Sequence, residues 1–140
     1  MTKKVLLGST SDEILALISP EGFDLSAAIA IANCIYKKRI SVIAGMPGIS
    51  KALKELLIRE AVTGFFSPVA SELSSDKTIK YLFRSPDGKE YETVFIPDGK
   101  RNTVCVSTQS GCRMGCSFCA TSKIGFRGNL TAREIINQVL

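Results

Sequence analysis

Cys112, Cys116 and Cys119 lie in the run Gly-Cys-Arg-Met-Gly-Cys-Ser-Phe-Cys, a CxxxCxxC triad within one short segment. Three thiolates can ligate three irons of a four-iron cluster and leave the fourth iron open to a small molecule. An open metal position distinguishes a reactive site from a structural one, so the triad reads as catalytic in design. Structural zinc asks for four Cys or His ligands, usually in two pairs. This chain has no histidine, and Cys105, seven residues before Cys112, has no paired CxxC partner. A disulfide framework suits small secreted chains, yet there is no charged-then-apolar leader, and five cysteines leave one over. A ferredoxin-type carrier needs a fourth cysteine at cluster spacing, which does not follow Cys119.

The elements that position the triad emerge from composition and pattern. At 140 residues and 45% apolar content the chain suits one ordinary globular domain or two small ones. No run approaches the roughly 18 apolar residues of a membrane helix, so a cytoplasmic protein with reduced thiols is expected. The formal charge is +5, and up to Asp98 twelve Lys/Arg balance twelve Asp/Glu. The excess falls after that point, in Lys100, Arg101, Arg113, Lys123, Arg127 and Arg133 against Glu134 alone. Such a stripe suits a phosphate backbone, a solvated face, or cations balancing an anionic cluster and its ligand.

Residues 1–73 read as a helical module: Asp12 to Ile18 stopped by Pro20 and Gly22, Ser26 to Tyr36 capped by Asp24, and Ser50 to Ala61 with Leu53, Leu56, Leu57 and Ala61 on one face. Lys37-Lys38-Arg39 follows a helix, where cations meet the negative end of the dipole, with RNA contact as the sharper alternative. Cys34 within the second helix reads as a buried free thiol. The stretch Ser67 to Ser75 is looser. Alternation then marks strands at Thr78 to Arg84 and Glu90 to Ile96, joined by Ser-Pro-Asp-Gly-Lys into a hairpin. A second Pro-Asp-Gly-Lys, at Pro97 to Lys100, leads to a strand at Thr103 to Thr108 that enters the cysteine segment. There Thr103, Cys105 and Ser107 share one face. Thr131 and Glu134 form a capping box at the start of a final helix, with Ile135, Ile136, Val139 and Leu140 as its apolar stripe. One strand and one unfinished helix cannot cover a parallel sheet, so the expected fold is the front of a larger α/β protein, truncated at Leu140.

Cys112 to Cys119, with Phe118 before the third cysteine, resembles the CxxxCxΦC signature of the radical S-adenosylmethionine (SAM) enzymes. The stretch from Cys105 through Thr121, followed by Gly125-Phe126 and Gly128-Asn129-Leu130-Thr131, resembles the dual-specificity RNA methyltransferases that methylate adenine C2. It is also similar to their C8-methylating, resistance-conferring relatives. Lys80-Tyr81-Leu82-Phe83, Glu92-Thr93-Val94-Phe95-Ile96-Pro97 and Ile35-Tyr36-Lys37-Lys38 extend the likeness over nearly the whole chain.

The resemblance implies a helical accessory domain (1–73), a β-hairpin extension (74–97) and, from 98 to 140, the first strand, cluster loop and first helix of a truncated radical SAM (β/α) barrel. It implies a [4Fe-4S] cluster on Cys112, Cys116 and Cys119, SAM on the open iron, and Phe118 beside the cluster and the adenine moiety. An external flavodoxin-type reductant would supply the electron, and 23S rRNA and tRNA would be the substrates. Adenine C2 is an electron-poor carbon with no nucleophilic character, so radical chemistry is the route, with the cofactor carrying the hard step. In that chemistry a methyl-carrying cysteine beyond this chain forms an adduct with RNA, and Cys105 helps remove a proton and resolves the adduct by forming a disulfide. Glu92 matches a proton acceptor. Without the resemblance, Cys105 reads as a buried structural thiol, Glu92 as a solvated hairpin carboxylate, and Phe118 equally as a core residue. The expectation follows that these 140 residues alone do not methylate RNA. A metal-binding RNA-interaction module is the alternative.

Overall fold

The computed structural model describes residues 3–140 and divides into two compact units, residues up to 65 and residues 66–139. In the first unit β1 (Lys4–Val5) pairs in parallel with β2 (Ala61–Val62), a two-residue ladder too short to show as a sequence pattern. Between them lie α1 (Ser11–Ile18), α2 (Leu25–Tyr36) and α3 (Lys51–Glu60). Each helix starts where a side chain accepts an otherwise free amide: Thr10 with Glu13 in a capping box, Asp24 from Ala27, and Ser50 from Leu53. Ile14, Ile18, Ile31, Ile35, Leu53 and Leu57 meet in a core that also buries Cys34, whose thiol donates to the Pro47 carbonyl. At about 1.5–3 kcal/mol per fully buried aliphatic side chain, that core is what holds the unit together. The Tyr36 hydroxyl accepts the Gly8 amide at 3.0 Å and donates to the Ser9 carbonyl at 2.6 Å, tying α2 to the chain after β1. Among the described residues no helix is long and apolar enough to cross a membrane.

The second unit is built on a four-stranded antiparallel sheet in the order β3 (Ala70–Leu73), β4 (Ile79–Arg84), β5 (Glu90–Asp98), β6 (Arg101–Cys105). The hairpin between β4 and β5 forms as expected, with Gly88 at φ +83° and the Ser85 amide bonded to the Lys89 carbonyl at 2.9 Å. The looser stretch proves to contain a strand, because Ala70–Leu73 pairs with Ile79–Leu82. That pairing places Ala70–Leu73 in the second compact unit.

The strand expected from Thr103 to Thr108 instead runs from Arg101 to Cys105 and pairs antiparallel with β5, Cys105 opposite Val94. Beyond it the chain makes a second small ladder, β7 (Gln109–Ser110) with β8 (Gly128–Asn129), on either side of a loop that carries the short helix α4 (Ala120–Lys123). The closing helix is α5 (Ala132–Asn137), with the expected capping box between Thr131 and Glu134.

The inward face of α5 differs from the expected apolar stripe. Glu134, Asn137 and Gln138 are buried, Val139 is 55% exposed, and only Ile135 joins the cluster of Phe83, Tyr91, Leu130, Phe66 and Tyr81. Each buried polar group has a specific partner. Glu134 pairs with Lys89 Nζ at 3.1 Å, and the Asn137 carboxamide accepts the Phe66 amide at 3.1 Å and donates to the Phe66 carbonyl at 2.8 Å. Gln138 treats Ser107 in the same way, at 2.8 and 2.9 Å. Buried polar groups are tolerated only when paired in this fashion, and for the two carboxamides the partners are backbone groups that strand pairing leaves unused.

Candidate active site

The cysteines stand in a loop whose two ends are clamped together. At its base the Gly111 and Gly125 backbones approach so closely that a Cβ on Gly111 would lie 1.6 Å from the Gly125 carbonyl oxygen. The Arg127 amide donates to the Ser110 carbonyl at 2.8 Å and the Leu130 amide to the Thr108 carbonyl at 2.9 Å. Inside the loop the Cys119 amide donates to the Cys116 carbonyl at 3.2 Å, and the Ser122 hydroxyl reaches the Cys116 and Cys119 carbonyls. Backbone amides also point at sulfur. Met114 N–H donates to Cys112 Sγ at 3.4 Å. The amides of Ser122 and Thr121 hold the Cys119 thiol below its ordinary pKa, because donors aimed at sulfur favour the thiolate.

All five cysteines are free thiols, and the three of the loop are partly exposed. Among the described residues no group of three or more His, Cys, Asp or Glu side chains gathers in an arrangement that holds a metal ion. The donor set nevertheless fits an iron–sulfur cluster by its chemistry: three accessible thiols on one clamped loop, with amide donors on two of the sulfurs, the kind of contact that tunes such clusters.

Phe118, between the second and third cysteines of the loop, is 90% exposed. Arg113 stacks over Phe126 at 4.0 Å and Arg133 over Phe66 at 5.2 Å, so two cations of the basic excess are engaged with aromatic rings inside this unit.

Cys105 is exposed at the last rung of β6, contrary to the buried-thiol alternative. The register places it opposite Val94, and Val94 opposite Lys80. Glu92, two residues from Val94, shares that face of the sheet, so Cys105 and Glu92 are diagonal neighbours. Glu92 is 53% exposed and pairs with Lys80 Nζ at 3.4 Å, an ammonium that also meets Glu72 at 3.2 Å. A cleft of about 160 Å³ is lined by Glu90 and Glu92 of β5, by Ser107, Gln109 and Gly111 of the chain leading into the loop, and by Thr121, Ile124 and Arg127. The structure thus brings Glu92 to the base of the cysteine loop, and Cys105 to Glu92.

Sequence reasoning missed Arg127 and Gly111 as members of this site, and Gln138 behind it. A glutamine at a position where the helical period calls for an apolar residue was the available signal for the last.

No family model matches the sequence. The chain is 43% identical over 137 residues to a protein of Parabacteroides distasonis described as "Probable dual-specificity RNA methyltransferase RlmN", covering 98% of this chain and 40% of that one. It is 41% identical over 139 residues to the protein of the same description from Bacteroides thetaiotaomicron, again covering 40% of the relative. The structure matches that of a radical SAM methyltransferase from Sphaerobacter thermophilus with a TM-score of 0.85 and 36% identity, covering 97% of this chain and 40% of that one. The chain therefore spans about two fifths of the length of the relatives it matches. Over that span the resemblance to RlmN-type radical SAM methyltransferases holds from end to end, in sequence and in mixed α/β fold.

Proposed function

We propose that these residues carry the cluster loop and the adduct-resolving thiol of a cytoplasmic radical SAM enzyme that methylates C2 of adenine in 23S rRNA and tRNA. The observation that carries the reading is the clamped loop of Cys112, Cys116 and Cys119, whose flanking residues Gly111, Thr121 and Arg127 line a cleft together with Glu92, in a chain about 40% identical to RlmN proteins. In this reading the helical unit is the accessory domain, the hairpin an extension, and the residues from Asp98 onward the entrance to a barrel core. Cys112, Cys116 and Cys119 would hold a [4Fe-4S] cluster, with SAM as its partner and a flavodoxin-type protein as electron source. That group supplies one-electron chemistry at an aromatic carbon that polar methyl transfer cannot attack.

The chain's own residues have separate tasks. Cys105, exposed at a strand end, helps remove a proton and then attacks the sulfur of the methyl-carrying cysteine, forming a disulfide as that sulfur's bond to the base-bound carbon breaks and leaves its electron pair on the carbon. Glu92, on the same face, receives a proton at its carboxylate, with the Lys80 ammonium beside it. Phe118, exposed on the loop, supplies a ring face for the adenine of the cofactor.

Anaerobic reconstitution with iron and sulfide tests the loop. A brown four-iron species absorbing in the visible is expected, and it is lost in Cys116→Ala. Stoichiometric zinc with no cluster would instead make the chain a metal-binding RNA-interaction module. The methylated nucleoside made by the protein expressed from its own gene, read by nuclear magnetic resonance, separates C2 from C8: a C8 methyl group would place it with the resistance-conferring relatives.

A further inference from the structure

A single buried carboxamide lies behind both candidate reacting residues. Gln138 Oε1 accepts the Ser107 amide at 2.8 Å and the Thr93 hydroxyl at 2.7 Å, while Nε2 donates to the carbonyls of Ser107 at 2.9 Å and Glu134 at 3.1 Å. Both acceptor sites and both donors of the side chain are therefore used. Thr93 follows Glu92 directly, and Ser107 lies two residues after Cys105.

The β5–β6 register, continued past Val94 opposite Cys105, would set Ser107 opposite Glu92 as the next rungs of the ladder. The ladder does not continue. Gln138 takes the Ser107 backbone in place of a strand, and the Ser107 hydroxyl alone reaches the Glu92 carbonyl at 2.7 Å. This substitution ends β6 at Cys105, where a sequence pattern of alternating residues would carry it to Thr108. It releases the following residues toward the cysteine loop instead of along the sheet edge, and it ties that exit to the strand bearing Glu92.

We propose that Gln138 is a positioning residue that fixes Cys105 and the entrance of the cysteine loop relative to Glu92, acting from the opposite face of the sheet. The assignment rests on the reading of Cys105 and Glu92 as the reacting pair. It does not make Gln138 catalytic, since no atom of it faces the cleft that Glu92 lines.

The neighbouring Asn137 supplies an internal control. It clips the Phe66 backbone with the same two-bond geometry on the same helical turn but touches neither Thr93 nor Ser107. Amide hydrogen exchange by nuclear magnetic resonance on the metal-free chain therefore decides between positioning and general support of the fold. In Q138M, which keeps the length and removes the polar atoms, Ser107 exchange should accelerate by about 10-fold or more, the equivalent of one to two net hydrogen bonds. The Phe66 amide should stay protected. In N137A the pattern should reverse. In Q138E the ionised carboxylate still accepts the Ser107 amide but meets the Ser107 and Glu134 carbonyls with no donor, so Ser107 protection should be partial near neutrality and rise in acid, where the protonated carboxyl restores one donor.

Equal loosening of Phe66 and Ser107 in both variants, or a Q138E profile without pH dependence, would overturn the assignment. None of these readouts requires cluster, SAM or RNA, so failure of the reconstituted chain to take up a four-iron cluster would count against the proposed function and leave this test intact. Conversely, full methylation by C105S in the protein expressed from its own gene would remove the reacting pair while Ser107 protection still reported on Gln138.

Discussion

Gly111 and Gly115 offer a matched pair for measuring what clamps the cysteine loop. Both adopt positive φ, +70° and +65°, so alanine at either costs the left-handed penalty of about 1–2 kcal/mol. They differ in space. A Cβ on Gly115 meets nothing within 4 Å, whereas on Gly111 it would sit 1.6 Å from the Gly125 carbonyl oxygen, 2.7 Å from the carbonyl carbon and 3.3 Å from the Phe126 Cα. All three are backbone atoms, so no side chain can swing aside. The chain must separate the two ends of the loop, and with them go the Arg127-to-Ser110 and Leu130-to-Thr108 bonds and the β7–β8 bridge. At about 0.5–1.5 kcal/mol per hydrogen bond, G111A should lose roughly 2–4 kcal/mol more than G115A. Urea unfolding followed residue by residue by nuclear magnetic resonance reads the second unit separately from the first. The Arg127 and Leu130 amides should lose protection in G111A and keep it in G115A. Equal stability of the two variants, with both amides protected, would refute the claim that the glycine contact closes the loop.

Two further substitutions probe the packing beneath the site. Burial pushes the Glu134 carboxyl upward, but the Thr131 amide and hydroxyl and the Lys89 ammonium outweigh it, so its pKa lies below the ordinary glutamate value of 4.5. A lowered folded pKa contributes stability above the ordinary value, lost as pH falls through the folded one. E134Q should therefore cost about 1–2 kcal/mol near neutrality, because it removes the charge-assisted partner of a largely buried Lys89, which keeps the exposed Asp87 at 3.1 Å and the Asn129 carbonyl at 3.3 Å. Its deficit should shrink in acid, and a deficit constant from pH 6 to 2 would contradict the assignment. Among the described residues the buried Tyr91 hydroxyl has no hydrogen-bond partner, and burial followed by the Glu134 charge drives its pKa upward. Removing an unpaired buried hydroxyl relieves a desolvation cost of about 1–3 kcal/mol, so Y91F should raise the stability of the second unit; a loss of stability would show that the hydroxyl has a partner.

What the sequence disclosed and what it concealed divide along one physical line. Thr131 with Glu134, Asp24 with Ala27, Ser50 with Leu53, and the Pro-Asp-Gly turn at Gly88 are each settled by residues within four positions of one another. The triad is local too, and the structure carries its three partly exposed thiols on the loop that the spacing implied. The failures are all non-local. Ala70–Leu73 is exposed along its whole length and becomes a strand only because β4 offers it a ladder. The short β1–β2 pair joins residues nearly sixty positions apart. The clamp between Gly111 and Gly125 is a contact between two glycines that composition marks merely as flexible.

The error at α5 exposes the limit of hydrophobic periodicity. The rule assumes that a helix buries apolar surface, but α5 faces chain segments whose amides and carbonyls have left the sheet, and such groups cost more unpaired than a buried carboxamide costs paired. Glu134, Asn137 and Gln138, at i, i+3 and i+4, form the polar face that this situation demands. A stripe of carboxylate and carboxamides at helical spacing is thus a readable sign that a helix packs against irregular backbone, and here that backbone leads from Cys105 into the cysteine loop.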